Sequence, residues 1–471
     1  MVQQWEPEAK HLKQYPHFDA PIDPHQAIKL ANSPEMVACN PFYPFLQYKK
    51  SWVPFRGDGT STPKDRLIRY ACRRDSIIFS RYRHLLSELY EERLKQLGLD
   101  GSVIAYRKIP VSEKDPGGKC NIHFAKEAFE EIKKLGTCCA VVMDISKYFE
   151  NIDHKLLKEK WCQLLGESSL PDDHFAVFKA ITRYAVVDRK GALQALGHLN
   201  EDGRRKDPST RLRKQLCNGE EFREKIAGGG QGYRSLIKRN SNAYGIPQGA
   251  PLSDVLANLY LIDFDAKILE WVERKGGFYR RYSDDLLVVV PGGESEAESV
   301  FSFVSDEIRR HGDELRIKPE KTSVVCFASS DRHLTYSIPR GARSSNGLEY
   351  LGFRFDGSRI YLRDSTVSRF YRKLTYFIRR EIISLIKRFP GKSLDFLTTK
   401  IDIGRLERKY GRVQGFDSSN PNGWTFWTYT QRASRAFGTD GGAIIKQVRS
   451  YRDFFRRQAM AELKRQYERL R

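Results

Sequence analysis

The feature that most constrains this chain is a pair of adjacent carboxylates, Asp284 and Asp285, set between two strand-like runs. Gly276-Gly277 opens the segment, aromatic and β-branched residues lie on both sides of the pair, and Pro291 closes it. This punctuation predicts a β-hairpin with both carboxylates at its tip. Two neighbouring Asp without a basic residue beside them repel each other, and a divalent cation is the common compensation. For the pair taken alone, a solvated Asp-Asp turn is the alternative.

A third carboxylate, Asp144, stands at the end of the apolar run 138–143. The run predicts a buried strand, and an acidic residue that closes such a strand is unfavourable unless it has a partner. Asp144 could instead cap a helix, although Asp153 is the better-placed cap for the helix that begins at His154. Two-metal phosphoryl transfer needs carboxylates that converge. If the strand ending at Asp144 lies beside the hairpin in an antiparallel sheet, that geometry follows.

The charge of the chain indicates the class of its partner. Lys and Arg number 81 and Asp and Glu 59, so the formal net charge is +22, which favours a polyanion, with nucleic acid as the first candidate. Residues 361–471 hold 25 Lys and Arg against 10 Asp and Glu, a net of +15. A basic helical domain there suggests a clamp on a nucleic-acid backbone, and a bundle that docks a protein partner is the alternative. Its predicted helices cover 367–387, 395–410 and 444–470.

Other segments give weaker predictions. Residues 186–240 are polar, basic and Gly-rich, and predict a long insertion that stays mobile unless nucleic acid orders it. Residues 254–269 predict a single amphipathic helix. The eight Cys are scattered, and the sequence shows neither an N-terminal signal nor an apolar run of transmembrane length. We therefore expect a soluble, cytoplasmic protein with reduced thiols and no membrane partner.

Six short motifs, in order along residues 60–355, resemble those of reverse transcriptases. Each motif alone is weak, but six in the right order are specific. The first is similar to the fingers motif of group II intron and retron enzymes, and Tyr106-Arg107-Lys108 with 121–127 resembles the bacterial reverse transcriptases associated with phage defence. The six are Lys64-Asp65-Arg66 with 75–78, 144–149, Gly245-Ile246-Pro247-Gln248-Gly249, Tyr282-Ser283-Asp284-Asp285, Glu320-Lys321-Thr322 and Tyr350-Leu351-Gly352-Phe353.

The resemblance implies an α+β fold, the right-hand polymerase, in which helices back an antiparallel palm sheet. An N-terminal arm would cover residues 1–55 and the fingers 56–135. The palm would cover 136–355, with the basic insertion at about 186–240, and a basic helical thumb would cover 356–471.

The resemblance also implies roles for the motif residues. Asp144, Asp284 and Asp285 would bind two Mg²⁺ ions, or Mn²⁺ in their place, with the Ile145 carbonyl assisting. Phe149 would lie under the sugar and exclude a ribose 2′-hydroxyl, so that dNTPs are the substrates. Lys321 would protonate or neutralise the departing pyrophosphate. Nucleotide contacts would come from Lys64, Arg66, Gln248 and Gly249, the primer grip from Tyr350, Leu351, Gly352 and Phe353, and thumb contacts from Arg372, Lys373, Arg379 and Arg380.

The leading hypothesis is an RNA-directed DNA polymerase, a nucleotidyltransferase that uses a dedicated structured non-coding RNA as template or scaffold, makes a cDNA product and serves antiphage defence. The alternatives are a retron-type or intron-type enzyme of another element, protein-primed or untemplated DNA synthesis, and a non-catalytic RNA-binding scaffold. The presence of all three carboxylates argues against the scaffold. The oligomeric state stays open, and a homo-oligomer is included.

Overall fold

The computed structural model describes residues 5–53, 63–112, 117–206, 214–330, 333–341, 346–405 and 425–469. The strands are β1 Phe45–Trp52, β2 Lys64–Tyr70, β3 Cys138–Asp144, β4 Ala185–Asp188, β5 Lys238–Arg239, β6 Phe278–Tyr282, β7 Asp285–Pro291, β8 Ser323–Ser329, β9 Leu334–Gly341, β10 Leu348–Tyr350, β11 Phe353–Phe355 and β12 Ile360–Leu362. The helices are α1 Pro24–Ala31, α2 Pro34–Ala38, α3 Arg73–Gln96, α4 Asn121–Leu135, α5 His154–Leu165, α6 Asp172–Thr182, α7 Arg189–Ala195, α8 Gly219–Glu221, α9 Ser253–Tyr260, α10 Ile262–Arg274, α11 Glu294–Arg309, α12 Asp364–Arg388, α13 Leu394–Thr399, α14 Phe426–Ala436, α15 Gly442–Val448 and α16 Tyr451–Arg469.

A five-stranded antiparallel sheet in the order β6-β7-β3-β8-β9 forms the centre of the fold. Its middle strand β3 is apolar throughout because both of its faces are covered. Cys139, Val141 and Met143 pack into one hydrophobic core, whereas the alternate residues Cys138, Ala140 and Val142 pack into a second core. The α+β fold with a helix-backed antiparallel sheet is therefore confirmed.

A second sheet, in the order β2-β1-β4-β5, forms the fingers side. Strand β4 and helix α7 belong to the predicted insertion, and Val187 and Leu193 pack with Leu46 of β1. The predicted mobility of the insertion stays a prediction, but the described part of the insertion has its own packed core. The sequence could not show this because the insertion's partner strand lies about 140 residues earlier in the chain.

Helices follow the predicted positions with three differences. The predicted helix 254–269 is broken at Leu261, where α9 ends and α10 begins, so that α9 is buried on nearly all sides while α10 keeps one exposed face. The predicted helix 444–470 divides into α15 and α16. The predicted helix 395–410 is interrupted after α13, and helical structure resumes at residues 403–405; residues 406–410 lie outside the described residues.

The C-terminal helices form a separate core. Leu374, Ile378 and Ile382 of α12 pack against Phe455 and Leu463 of α16. None of the described helices combines the length and apolar character that crossing a bilayer requires. The domain boundaries stay predictions. The predicted boundary at residue 55 falls between β1 and β2, which pair with each other in one sheet.

Candidate active site

Strands β6 and β7 form the predicted hairpin. They pair from Phe278 opposite Val289 to Tyr282 opposite Asp285, and Ser283 and Asp284 make the turn. Ser283 has φ of 61°, a left-handed conformation that is uncommon for a residue with a side chain. The turn places Asp284 and Asp285 at its tip, as the sequence predicts.

The third carboxylate joins the pair through strand register. Strand β3 pairs with β7, and the last pair of that register is Asp144 opposite Asp285. Directly opposed residues of an antiparallel pair have Cβ atoms about 4.5–5.5 Å apart. The Ile145 amide donates to the Asp284 carbonyl at 3.0 Å, which ties the end of β3 to the turn. Three acidic residues that are distant in sequence therefore lie together.

The turn buries Asp284 beside two other carboxylates. Burial, followed by the charges of Asp285 and Asp144, raises the pKa of Asp284 to about 6. This excess negative charge and the all-oxygen donors fit hard divalent cations such as Mg²⁺ or Mn²⁺. Among the described residues, no three Asp, Glu, His or Cys side chains stand as a ready metal site. The Lys321 ammonium pairs with the Asp144 carboxylate, so sharing Asp144 with a cation requires that side chain to move.

Lys321 reaches this position from the short 3₁₀ turn Pro319–Lys321 that precedes β8. The turn is held against the carboxylates because the Lys318 amide donates to the Asp144 carbonyl at 3.3 Å. The structure thus brings Lys321 to the site.

The predicted nucleotide residues Gln248 and Gly249 lie on one loop, and Phe149 lies beside that loop in the 3₁₀ turn Tyr148–Glu150. The Ile246 amide donates to the Phe149 carbonyl at 2.8 Å, and Phe149 is half-buried. On the other side, the Arg69 amide of β2 donates to the Gln248 carbonyl at 3.0 Å. Gly249 has φ of 114°, and a Cβ there would lie 2.5 Å from the Arg69 carbonyl oxygen, so only glycine allows this approach.

Strand β2 meets this loop through the backbone of Arg69. The predicted Lys64 and Arg66 share a strand face with Tyr70, which packs against the insertion core. Arg69 lies on the opposite face, where its Nε donates to the Gln47 side chain at 2.9 Å and its guanidinium lies 5.1 Å from the Tyr184 ring centroid. The triphosphate-binding role of Lys64 and Arg66 stays a prediction.

Arg69 lies on the same predicted basic strand or ribbon as Lys64 and Arg66. It is 8% exposed, and its Nη1 is buried without a hydrogen-bond partner among the described residues. Buried guanidinium donors are normally satisfied, so this donor, close to a loop of predicted nucleotide contacts, makes Arg69 a candidate for binding an anion. Its odd-numbered position places it on the other strand face from Lys64 and Arg66.

The predicted primer grip is a tight hairpin. Leu351 and Gly352 form its turn with φ of 45° and 91°, between β10 and β11. The side chains of Tyr350 and Phe353 are buried in the second core, at 1% and 0% exposure. Only the turn residues are exposed enough to meet a primer in this arrangement.

The predicted thumb residues line one face of α12. Leu374 and Ile378 face the thumb core, and a ring of exposed side chains occupies the other side. Tyr376 is 57% exposed there, and the Arg380 guanidinium lies 5.8 Å from its ring centroid. Basic side chains around an exposed aromatic ring suit a nucleic-acid backbone. The four predicted residues, all exposed, are Arg372, Lys373, Arg379 and Arg380.

A buried ion pair that was not predicted from the sequence supports the carboxylate hairpin on its buried side. Arg281 of β6 and Asp265 of α10 are both fully buried, with N–O distances of 2.6 and 2.7 Å. The same guanidinium donates to the Ser283 carbonyl in the turn at 3.3 Å and to the Asn258 side chain at 3.2 Å. From the other side, the Tyr106 hydroxyl lies 3.0 Å from the Ser283 Oγ. The turn that carries Asp284 is therefore fixed by side chains from separate elements.

Comparison with known proteins agrees with part of this assignment. The family described as reverse transcriptase (RNA-dependent DNA polymerase) matches residues 232–355, roughly a quarter of the chain. The match includes the Gly245 loop, the carboxylate hairpin and Lys321, whereas Asp144 and Phe149 lie outside it. No curated protein matches the chain. The matched region is thus similar to a reverse transcriptase domain, and Asp144 lies next to that region through strand pairing.

Solved structures of telomerases are similar at low identity. Apo telomerase from Candida tropicalis truncated from its C-terminal domain has a TM-score of 0.39 and 12% identity, over 68% of this chain and 56% of that one. Apo telomerase from the same organism has 0.38 and 12%, over 89% and 63%. Telomerase from Candida albicans with a TWJ fragment of telomeric RNA has 0.36 and 12%, over 88% and 60%. This chain spans less than two thirds of each of those chains, and these scores do not bear on its substrates or partners.

Asp265→Asn should destabilise the protein by about 3–5 kcal/mol, because it leaves the Arg281 charge buried without its counter-ion. The double variant Asp265→Leu/Arg281→Met should lose less stability than Asp265→Asn, since it leaves no buried charge unpaired. Urea unfolding followed by circular dichroism measures both. Asp306→Asn is the matched control, because its pair with Arg309 is exposed at 3.6 Å and should contribute under about 1 kcal/mol. Equal stability of Asp265→Asn and the control would contradict this assignment.

Arg69→Gln should raise the KM for dNTPs by roughly tenfold or more, because a charge-assisted hydrogen bond contributes about 1.5–3 kcal/mol. Arg66→Gln, on the other strand face, should have a smaller effect. Steady-state primer extension at varied dNTP concentration measures the KM of each variant. The opposite ranking would favour the triphosphate role predicted for Lys64 and Arg66.

Proposed function

We propose that this chain is an RNA-directed DNA polymerase that adds dNTPs to a primer by two-metal phosphoryl transfer. The observation that carries the proposal is the register of β3 against β7, which sets Asp144 opposite Asp285 and beside Asp284. The reverse transcriptase domain at residues 232–355 supports the same activity.

The residues divide the chemistry among them. Asp144, Asp284 and Asp285, with the Ile145 carbonyl, would hold two Mg²⁺ or Mn²⁺ ions. Such ions, when bound, stabilise the charge on the attacking and the leaving oxygens of the transferred phosphate. Lys321, already beside Asp144, is placed to neutralise or protonate the departing pyrophosphate.

The loop at Gly245–Gly249 would bind the incoming nucleotide between Phe149 and β2. Its backbone contacts both elements, so it can place the nucleotide sugar over the Phe149 ring and the phosphates near Arg69. A ring under the sugar leaves no room for a 2′-hydroxyl, which supports dNTPs as the substrates.

An RNA template is supported by the charge of the chain and by the exposed basic face of α12. The finer proposal is a dedicated structured non-coding RNA, a cDNA product and a role in antiphage defence in the cytoplasm. Its support is the resemblance at Tyr106-Arg107-Lys108 and 121–127. Sequencing the RNA and DNA that copurify with the protein tests it: a small structured RNA encoded beside this gene supports it, and a surrounding intron RNA favours an intron-type enzyme.

Asp284→Asn should reduce primer extension by roughly 10³-fold or more, because it removes a carboxylate on which charge stabilisation in the transition state depends. The assay supplies Mg²⁺, dNTPs and a primed RNA template, and RNA binding is measured in parallel and should persist. Asp306→Asn, the same substitution on the exposed face of α11, should keep wild-type activity. A folded wild-type protein that binds RNA but incorporates no nucleotide would identify a non-catalytic scaffold instead.

Phe149→Val should raise the kcat/KM for ribonucleotides relative to dNTPs by roughly tenfold, since steric exclusion by a side chain is worth about 1–3 kcal/mol. Phe149→Tyr keeps a ring at this position and should keep the discrimination. Single-nucleotide incorporation with matched dNTP and rNTP measures the ratio. An unchanged ratio in Phe149→Val would show that Phe149 only packs against its neighbours and does not exclude ribonucleotides.

A further inference from the structure

An open strand edge lies on the fingers side, away from the carboxylates. Strand β4 pairs with β1 only over Phe45 to Gln47, so from Tyr48 onward this edge of β1 has no strand partner among the described residues. A cavity of about 500 Å³ opens there, beside the start of α7. Clefts of roughly 300–1,000 Å³ are typical of ligand sites.

The cavity is strongly basic. Its lining includes four cationic side chains and one carboxylate, a local net charge of +3. The carboxylate, Asp188, already accepts the Gly191 amide at 2.9 Å as the cap of α7. One cation, Lys49, is paired at 2.6 Å with Asp65. The other three cations, which have no ion pair among the described residues, are Arg189, Lys190 and Arg205.

An aromatic ring completes the lining. Tyr48 is 36% exposed, and it meets Tyr70 edge-on at 6.1 Å between ring centroids, so the ring is held in place. Lys190 is positioned too, because its aliphatic chain lies over Gly203. A Cβ at Gly203 would come within 2.4 Å of Lys190 Cε. The cavity therefore combines a supported aromatic ring with several cations, of which Lys190 is held against Gly203.

We propose that this cavity binds single-stranded RNA, with one unpaired base stacked on Tyr48 and the flanking phosphates bound by Arg189, Lys190 and Arg205. Base stacking beside a basic groove is the general solution for single strands. A duplex keeps its bases stacked inside and would leave Tyr48 unused. The site would anchor an unpaired segment of the RNA, and it uses none of the residues proposed for polymerisation.

The test measures fluorescence anisotropy of a short labelled single-stranded RNA against the full chain at several salt concentrations. Arg189→Gln/Lys190→Gln/Arg205→Gln should reduce the slope of log affinity against log salt by about 2, because each lost phosphate contact on a single strand contributes about 0.7. The matched control is Arg204→Gln/Lys206→Gln/Arg234→Gln, which removes the same charge from exposed residues outside the cavity lining. Equal slopes in the two triple variants would overturn the site.

Tyr48 supplies a second, charge-neutral test. Tyr48→Ala should weaken single-stranded RNA binding by roughly tenfold or more, and Tyr48→Phe should bind as wild type, since stacking needs only the ring. Affinity for a duplex RNA should be the same in all three proteins. Unchanged binding by Tyr48→Ala would overturn the stacked base. Thermal melting of each variant ensures that the comparisons are made between folded proteins.

Primer extension separates this inference from neighbouring ones. On a short primed template, the cavity triple variant should keep the wild-type KM for dNTPs. Variants of the thumb residues Arg372, Lys373, Arg379 and Arg380 should instead bind the primed duplex more weakly than the wild type. A raised dNTP KM with unchanged RNA affinity would assign the cavity to nucleotide triphosphate and overturn the inference. If the wild type extends no primer, the proposed function fails, while the anisotropy result decides this site independently.

Discussion

The register between β3 and β7 is the constraint on which the candidate active site depends. It sets Asp144 opposite Asp285, while the two-residue turn of the hairpin adds Asp284. Burial, followed by the charges of Asp285 and Asp144, raises the pKa of Asp284, so packing elsewhere must maintain the arrangement. That packing comes from β3, whose alternate side chains anchor it in two separate cores. A one-residue slip would exchange the two sets of side chains between the cores and move Asp144 away from its partner.

The hairpin is also held by polar groups from behind. Arg281 is neutralised by Asp265 and reaches the carbonyl of the turn, while Tyr106 contacts the turn from a different loop. An unpaired charge at such depth would be strongly destabilising, whereas the bidentate pair adds fixed geometry. Ser283, in a left-handed conformation, thus lies between two independent contacts. The turn that carries Asp284 is rigid for reasons that lie outside its own motif.

Basic residues divide between two separate regions around this centre. The exposed face of α12 suits a duplex backbone, because its cations follow one side of a long helix. The cavity at the edge of β1 is concave and smaller, and it suits an unpaired nucleotide. Arg69 lies between the fingers and the nucleotide loop, with a donor left for an anion.

The sequence by itself determined the local elements and the chemistry at their ends. The apolar strand that ends at Asp144, the hairpin tip at Asp284 and Asp285, and the order of the motifs all follow from period-two patterns and turn residues. The tertiary structure alone decided which faces are used. Alternation separates Arg69 from Lys64 and Arg66, but only the packing of the insertion core against Tyr70 shows which face of β2 is covered. Likewise the motif predicts that Tyr350 and Phe353 contact a primer, whereas the structure buries both side chains. The physical reason is that periodicity is a property of neighbours along the chain, whereas the identity of the covering element is set by contacts between residues far apart in sequence.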